Sequence, residues 1–190
     1  PIPEVERYVS IHEGDAVIEN GFFKVKINPE NGALVSVWDK RFQKEMVNPK
    51  SEYGFGEYVH EKFGNDEIDR YNNSYVKPGH HGWADPEMAR PKDEVLQYAM
   101  EKGKVRRIKY DKTSHSVRAT VFCQTEAGDD YLLSYTLEDY SPYVEINWSL
   151  RNKPADPQPE AGWLVFPFNV DEPTFRLGRT GGVVNPAVDF

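Results

Sequence analysis

The sequence predicts an all-β protein built as an antiparallel β-sandwich, and three observations lead to this fold class. First, the 19 valines, 11 tyrosines, 10 phenylalanines and 4 tryptophans far outnumber the 8 leucines, 10 alanines and 3 methionines, and side chains that branch at Cβ or carry rings favour strands. Second, several short segments alternate apolar and polar residues with a period of two. Third, turn residues separate these segments about every 8–12 positions, and no strand–helix alternation supports a Rossmann fold or a TIM barrel.

The first elements form a predicted β-hairpin. Phe23, Val25 and Ile27 share one face of a strand, and residues 34–38 form its partner. The segment Asn-Pro-Glu-Asn-Gly at 28–32 lies between them, and Asn-Gly supplies the positive φ that a tight reversal needs. A second turn is predicted at Asp39 and Lys40.

The second half of the chain contains the clearest strands. Segments 117–123, 131–137 and 143–151 each place apolar residues on one face and mostly polar residues on the other, which predicts strands with one buried face. Turns are predicted at 128–130 and 139–142. Residues 163–170 are apolar at nearly every position, which predicts a strand covered on both sides. Pro167 predicts a bulge or a sheet edge there, because proline cannot donate to a strand ladder.

Between about residues 48 and 93 the alternation disappears. This stretch is rich in Tyr, His, Gly and Asn and is too long for a plain connection, so we predict an irregular insertion in a single β-sandwich domain that covers 1–190. Residues 93–102 form the one predicted helix: Val95, Leu96, Ala99 and Met100 share a face, and Gly103 ends it in the left-handed conformation.

Charge and composition exclude several classes of partner. With 23 basic and 31 acidic residues the formal charge is −8, which disfavours nucleic acid and anionic membranes as partners. The basic run at 102–112 is interpreted as a solvated face or a sheet edge protected by charge. The single cysteine, Cys123, excludes an internal disulfide framework and is predicted to be a buried small hydrophobe. No signal peptide and no membrane-spanning apolar run is visible, and the compartment stays open.

The best local candidate for a binding site lies at residues 77–85. Aromatic rings stack on the C–H faces of sugars, while carboxylates, amides and imidazoles hold the hydroxyls. His80, His81, Trp83 and Asp85 are the right residue types for carbohydrate binding. The alternative is that Trp83 packs in the core of the sandwich and the two histidines lie on a surface loop without a binding role. No metal site is predicted, because adjacent residues such as His80 and His81 point to opposite faces of a strand.

Two blocks of sequence resemble a known family. The first covers 18–40 and is IENGFFKVKINPENGALVSVWDK; the second covers 159–168 and is PEAGWLVFPF, followed by Gly181, Gly182, Asn185-Pro186 and Asp189. Both resemble the C-terminal β-sandwich of glycoside hydrolase family 38 α-mannosidases and their relatives. The resemblance implies a galactose-mutarotase-like supersandwich, truncated by several strands at the C-terminus.

The resemblance also implies where the chemistry of such an enzyme lies. In that family the nucleophile and the zinc ligands belong to an N-terminal α/β domain, which a helical bundle follows. This sequence matches neither, so it is expected to be a fragment of a larger protein with no catalytic residue and no cofactor of its own. Zinc is expected in the absent catalytic domain, and the expected partners are carbohydrate and the missing domains.

Three functional hypotheses follow. The first is an accessory β-sandwich domain of a mannosidase-like glycoside hydrolase, which supports the catalytic domain and borders the glycan site. The second is a stand-alone aldose 1-epimerase-like enzyme, in which His80 or His81 works with a glutamate such as Glu145 or Glu160 as acid and base. The third is a non-catalytic carbohydrate-binding module with an exposed aromatic platform, formed by Trp83, Tyr71 and Tyr75.

Overall fold

A computed structural model of the chain describes residues 5–75, 95–126 and 128–189. Within these ranges the chain forms one α-helix, α1 (Asn65–Tyr75), a 3-10 turn (Glu13–Asp15) and fourteen strands. The strands β1 to β14 are, in chain order, Val9–His12, Val17–Asn20, Phe23–Ile27, Leu34–Asp39, Lys44–Glu45, Glu57–Lys62, Ala99–Lys102, Lys104–Lys112, Ser116–Gln124, Asp130–Glu138, Glu145–Arg151, Glu160–Val165, Leu177–Arg179 and Gly182–Val184.

The strands form three main sheets and one small hairpin. A five-stranded sheet has the order β1-β2-β3-β4-β5, and a four-stranded sheet has the order β11-β10-β9-β8. A three-stranded sheet, with the order β12-β6-β7, combines strands that are distant in sequence, and β13 pairs with β14. The pairings within these sheets are antiparallel.

The hydrophobic core lies between the five-stranded and the four-stranded sheets. Ile18, Val25 and Leu34 of the first sheet and Val121 and Leu133 of the second are fully buried and belong to one cluster. Strand β3 alternates buried and exposed residues along its whole length, as period two requires. Burial of each such side chain contributes about 1.5–3 kcal/mol. The predicted all-β, antiparallel sandwich is therefore confirmed.

The predicted reversal between β3 and β4 is also confirmed, and its glycine has two roles. Gly32 has φ +80°, and its N–H donates to the Asn28 carbonyl at 2.9 Å. A Cβ at Gly32 would lie 2.8 Å from Val121 Cγ1 on the opposite sheet. The turn therefore needs glycine both for its backbone conformation and for the close contact between the sheets.

A buried asparagine at the end of β2 connects the two sheets. The side-chain oxygen of Asn20 accepts hydrogen bonds from the Phe22 and Phe23 N–H groups at 2.9 and 2.7 Å, which shapes the turn into β3. Its Nδ2 donates to the Glu138 carbonyl at 2.7 Å. Since Asn20 is completely buried, these bonds are needed to offset the desolvation of its amide.

The prediction of a helix over 93–102 is wrong for residues 95–102, the part of this segment that the structure describes. Residues 95–98 have no regular structure, and Ala99–Lys102 forms β7, which pairs with β6. The supposed apolar face is not buried, because Val95 is 80% exposed. Gly103 does not end a helix: it lies between β7 and β8, where a Cβ would overlap the Tyr131 side chain.

The region predicted to be an irregular insertion contains, in its described part, a strand and a helix. Strand β6 is the central strand of the three-stranded sheet, and its first four residues are all buried, so no alternation marks it in the sequence. Helix α1 is mostly polar and buries Ile68. In the ranges that the structure describes, no helix is apolar and long enough to cross a membrane.

The strand predicted over 163–170 is shorter and more exposed than expected. Strand β12 ends at Val165, before Pro167, and lies at the edge of its sheet, so the predicted edge is confirmed. The predicted cover on both sides is wrong, because Trp163 is 52% and Phe168 55% exposed.

The basic run at 102–112 lies mostly in β8, which is the edge strand of the four-stranded sheet, as predicted. Its lysines and arginines are exposed, whereas Val105, Ile108 and Tyr110 are half-buried, so the charges face solvent. Cys123 is buried on the neighbouring strand β9, which also confirms its prediction.

Candidate functional site

The three-stranded sheet presents two groups of polar side chains, one on each face of β6. Because alternate residues of a strand point to opposite faces, Tyr58 and His60 share one face, and Val59 and Glu61 share the other. Strands β12 and β7 align with β6 so that Trp163 lies opposite Val59 and Met100 opposite Glu61. The face that carries Glu61 borders a cleft, whereas the face that carries His60 is buried.

The cleft, which we call the α1 cleft, has a volume of about 740 Å³ and lies between helix α1 and the three-stranded sheet. Its walls combine aromatic rings, two carboxylates, one guanidinium, two phenol hydroxyls and one serine hydroxyl. The lining residues are Glu61, Phe63, Glu67, Ile68, Arg70, Tyr71, Ser74, Tyr98 and Pro159. Sites for small organic ligands have this size and this mixture of apolar walls and few polar groups.

Glu61 holds two aromatic side chains by hydrogen bonds, and one of them, Tyr98, lines the cleft. The Tyr98 hydroxyl donates to Glu61 Oε1 at 2.8 Å, and the Trp163 indole Nε1–H donates to Oε2 at 2.8 Å. The bond to Glu61 raises the pKa of Tyr98, so its hydroxyl stays protonated at neutral pH. Tyr98 and Tyr71 remain 46% and 48% exposed, so each is only half-covered by the rest of the chain.

The start of helix α1 is anchored next to the cleft. Glu67 Oε2 accepts the Gly64 N–H at 3.1 Å, in the manner of a capping box, and thereby satisfies one free donor at the helix start. Asn65 exchanges two 3.2 Å hydrogen bonds with Leu96, one from its backbone and one to its side chain. These bonds connect α1 to the segment that contains Tyr98.

On the opposite face of β6, His60 is buried between two carboxylates. Its Nε2 lies 2.9 Å from Glu160 Oε2 and, when protonated, donates to it. Its Nδ1 lies 3.2 Å from Asp129 Oδ2, within ion-pair distance, although the two atoms are not aligned as a hydrogen bond. Lys153 also contacts Glu160. We call these four residues the His60 cluster.

The electrostatics of the His60 cluster favour the ionised form of Glu160. Burial alone would raise the pKa of Glu160, but the hydrogen bonds from Lys153 and His60 and their charges hold it below its ordinary value. Burial, and then the charges of Asp129 and Glu160, raise the pKa of Tyr58 to about 12. His60 is 3% and Asp129 1% exposed, so a substrate does not reach them. The cluster therefore holds β6, β12 and the β9–β10 turn together.

The residues predicted to bind carbohydrate, His80, His81, Trp83 and Asp85, lie outside the described residues. Tyr71, from the predicted aromatic platform, lies on α1 and lines the cleft, and Tyr75 is the last residue of α1.

The two glutamates proposed as partners of a catalytic histidine lie in different surroundings. Glu160 contacts His60, and Glu145 lies exposed on β11, where its carboxylate accepts a hydrogen bond from Asn147.

Sequence reasoning did not predict Glu61, Tyr98 or His60 as site residues. Glu61 and His60 belong to a strand without visible alternation, and Tyr98 belonged to the predicted helix. The available signal was the density of aromatic and acidic residues between 53 and 71.

Among the described residues, no group of three or more His, Cys, Asp or Glu side chains is arranged to hold a metal ion. No family model matches the sequence, and no curated protein and no solved structure matches it significantly.

Proposed function

We propose that this chain is an accessory β-sandwich domain, of the galactose-mutarotase-like type, from a mannosidase-like glycoside hydrolase, and that it binds glycan in the α1 cleft. The fold and the chemistry of the cleft both support this proposal. The antiparallel sandwich agrees with the fold that the resemblance implies, and β3 with its turn and β12 correspond to the two resembling blocks. The cleft adds a chemical reason for a role in sugar binding.

The observation that carries the proposal is the pair of half-exposed tyrosine rings beside carboxylates in one cleft. Tyr71 and Tyr98 offer flat apolar faces to the C–H groups of a pyranose ring. Glu61 and Glu67 offer acceptors for its hydroxyl groups. Since Glu61 holds Tyr98 through a hydrogen bond, part of this surface is ordered before a ligand arrives.

The proposal assigns binding and support to this chain, and it assigns bond cleavage to another domain. His60 and Asp129 are buried and the His60 cluster serves the fold, so we propose no catalytic residue here. The chain alone is expected to leave an aryl α-mannoside intact, with or without added zinc. Hydrolysis by the pure chain would contradict the accessory role. Accelerated mutarotation of fresh α-glucose would instead favour the epimerase hypothesis.

Affinity electrophoresis against a panel of mannans and other polysaccharides tests the binding. We expect retardation in at least one glycan. Titration calorimetry with its oligosaccharide should show affinity about threefold to tenfold weaker in Tyr71→Ala and in Tyr98→Ala, the usual value of one aromatic stacking contact.

Tyr143→Ala is the matched control for these variants, because this side chain is 72% exposed and does not line the cleft. The control is expected to bind like the unmodified chain. Absence of retardation across the panel, or equal weakening by all three substitutions, would overturn the assignment of the cleft.

A further inference from the structure

A second cavity lies at one end of the four-stranded sheet and has the opposite charge character to the protein as a whole. This arginine pocket has a volume of about 390 Å³. Its lining residues are Arg106, Arg107, Phe122, Cys123, Asp130, Tyr131, Leu132, Arg151 and Asn152. Three guanidinium groups and one carboxylate give the lining a net charge of two positive units, although the chain has a formal charge of −8.

A β-bulge explains why two consecutive arginines line one pocket. In a regular strand the side chains of Arg106 and Arg107 would point to opposite faces of the sheet. The register of β8 against β9 shifts between Val105 and Arg107, so that Arg106 is an extra residue in the ladder. The third arginine, Arg151, is the last residue of β11, and in the strand register it lies opposite Asp130 of β10.

The three arginines differ in how far neighbouring groups neutralise their positive charge. Arg106 contacts Gln124, and its guanidinium lies 3.7 Å from Asp130. Arg107 stacks over the Phe122 ring at 4.0 Å, a contact that orients its guanidinium without neutralising it. Among the residues that the structure describes, neither Arg107 nor Arg151 has a carboxylate within ion-pair distance.

The floor of the pocket is apolar. Phe122 and Leu132 are half-buried neighbours on β9 and β10, directly opposite each other in the ladder. A ligand in this pocket would therefore meet an apolar surface below and uncompensated guanidinium groups at the side.

We propose that the arginine pocket binds a phosphate or sulfate monoester, with the oxyanion on Arg107 and Arg151 and the organic group on Phe122 and Leu132. Guanidinium groups donate two parallel hydrogen bonds to such oxyanions, and the planar fork makes arginine better suited to this than lysine. This site is independent of the α1 cleft and of the function proposed for it.

Calorimetric titration of the 190-residue chain with phenyl phosphate, phenyl sulfate, inorganic phosphate and phenol tests the proposal. We expect at least one of the two esters to bind, to bind more tightly than inorganic phosphate, and phenol not to bind. Whichever ester binds more tightly identifies the oxyanion. Binding of phenol as tight as that of the esters would overturn the role of the arginines.

Arg107→Gln and Arg151→Gln are each expected to weaken ester binding about tenfold, the usual effect of losing a charged hydrogen-bond donor. Lys112→Gln is the matched control, because it removes the same charge from the same strand, β8, outside the pocket. Circular dichroism spectra and melting temperatures verify that all variants are folded.

The control is expected to bind like the unmodified chain. Equal weakening by all three substitutions would show general charge attraction rather than a site, and no binding of either ester would also overturn the proposal. Failure of this site leaves glycan binding in the α1 cleft unaffected, so the two proposals are tested separately.

Discussion

Two buried tyrosines on strand β10 allow a matched test of how this core tolerates hydroxyl groups. Tyr131 and Tyr135 are 1% and 0% exposed, and burial, followed by the nearby Cys123 thiol, raises the pKa of both hydroxyls, so both are neutral at pH 7. The Tyr135 hydroxyl donates to the buried Gly32 carbonyl at 2.7 Å and thereby connects the two large sheets. The Tyr131 hydroxyl makes no hydrogen bond of acceptable geometry.

The same substitution should therefore have opposite effects at the two positions. Tyr135→Phe removes a bond and leaves the buried Gly32 carbonyl without its partner, which costs about 1–3 kcal/mol. Tyr131→Phe removes a desolvated hydroxyl that has only the weakly bonding thiol nearby, so we expect a change between zero and a gain of about 1 kcal/mol. The ring contact of Tyr131 with Tyr58, at 4.8 Å between centroids, is retained.

Urea denaturation of both variants, followed by tryptophan fluorescence, measures this difference. We expect the free energies of unfolding to differ by about 2 kcal/mol, equivalent to roughly 4–8 °C in melting temperature for a protein of this size. Equal destabilisation by the two substitutions would refute the reasoning, since it would show that the Tyr131 hydroxyl is bonded after all. Retained near-UV circular dichroism in both variants verifies that the core packing is unchanged.

Three further predictions concern burial, pH and backbone conformation. His60→Ala should lower the free energy of unfolding by about 3–5 kcal/mol in urea denaturation, because two carboxylates then face a cavity, and adding Asp129→Asn should recover part of this loss. Burial alone would raise the pKa of Asp39, but the hydrogen bonds and charge of Arg41 outweigh burial and hold this pKa below its ordinary value of 3.8. The ionised carboxylate therefore stabilises the protein above pH 3.8, and this contribution is lost as the pH falls through the lowered pKa. The destabilisation by Asp39→Asn should accordingly shrink in melting curves between pH 6 and pH 3. Gly32→Ala should cost at least about 1 kcal/mol in urea denaturation, because its φ is +80° and its Cβ would lie 2.8 Å from a valine methyl.

Each of these predictions has a result that would contradict it. Failure of Asp129→Asn to recover any stability would show that His60 acts by packing alone. A constant effect of Asp39→Asn across the pH range would disprove its lowered pKa; the control Asp111→Asn, in an exposed pair with Lys109, should have a small effect throughout. Gly14→Ala, with open space around its Cβ, should be nearly neutral, and an equal cost at Gly14 and Gly32 would exclude the steric explanation.

The strands with one solvated face were predictable from the sequence. Strands β3 and β9 alternate along their length, and β10 alternates except at the buried Thr136. The Asn-Gly turn at Gly32 leaves few alternatives for the first hairpin. In these segments the local pattern and the tertiary environment agree, because one face packs in the core and the other meets water. The sandwich follows from several such strands and the turns between them.

The central region was not predictable for a physical reason. The first four residues of β6 are buried on both faces of the strand and include Glu57 and His60. Their burial is possible because Lys102, Asp129 and Glu160 lie next to them in space. Those partners are distant in sequence, so a local pattern cannot reveal them. The segment 95–102 shows the converse, since its helical spacing is overruled by pairing of β7 with β6.

The candidate sites were hidden for the same reason. The α1 cleft combines Glu61, Tyr71, Tyr98 and Pro159, which come from separate elements of the chain. The arginine pocket depends on a bulge at Arg106 that has no sequence signature, although the basic run itself was evident. Residue types could be listed in advance, but their convergence is a property of the sheet register.

Strand β6 couples the stability of the fold to the geometry of the α1 cleft. Its inner face holds the sheet against β10 and β11, where the Tyr58 ring lies 4.8 Å from Tyr131 and 5.4 Å from Trp148 between centroids. Its outer face places Glu61 between Tyr98 and Trp163. Because neighbouring residues on one strand serve the two faces, a change of the inner face should disturb both properties. A change at Glu61 should disturb binding alone, since its partners are half-exposed and can bond to water instead.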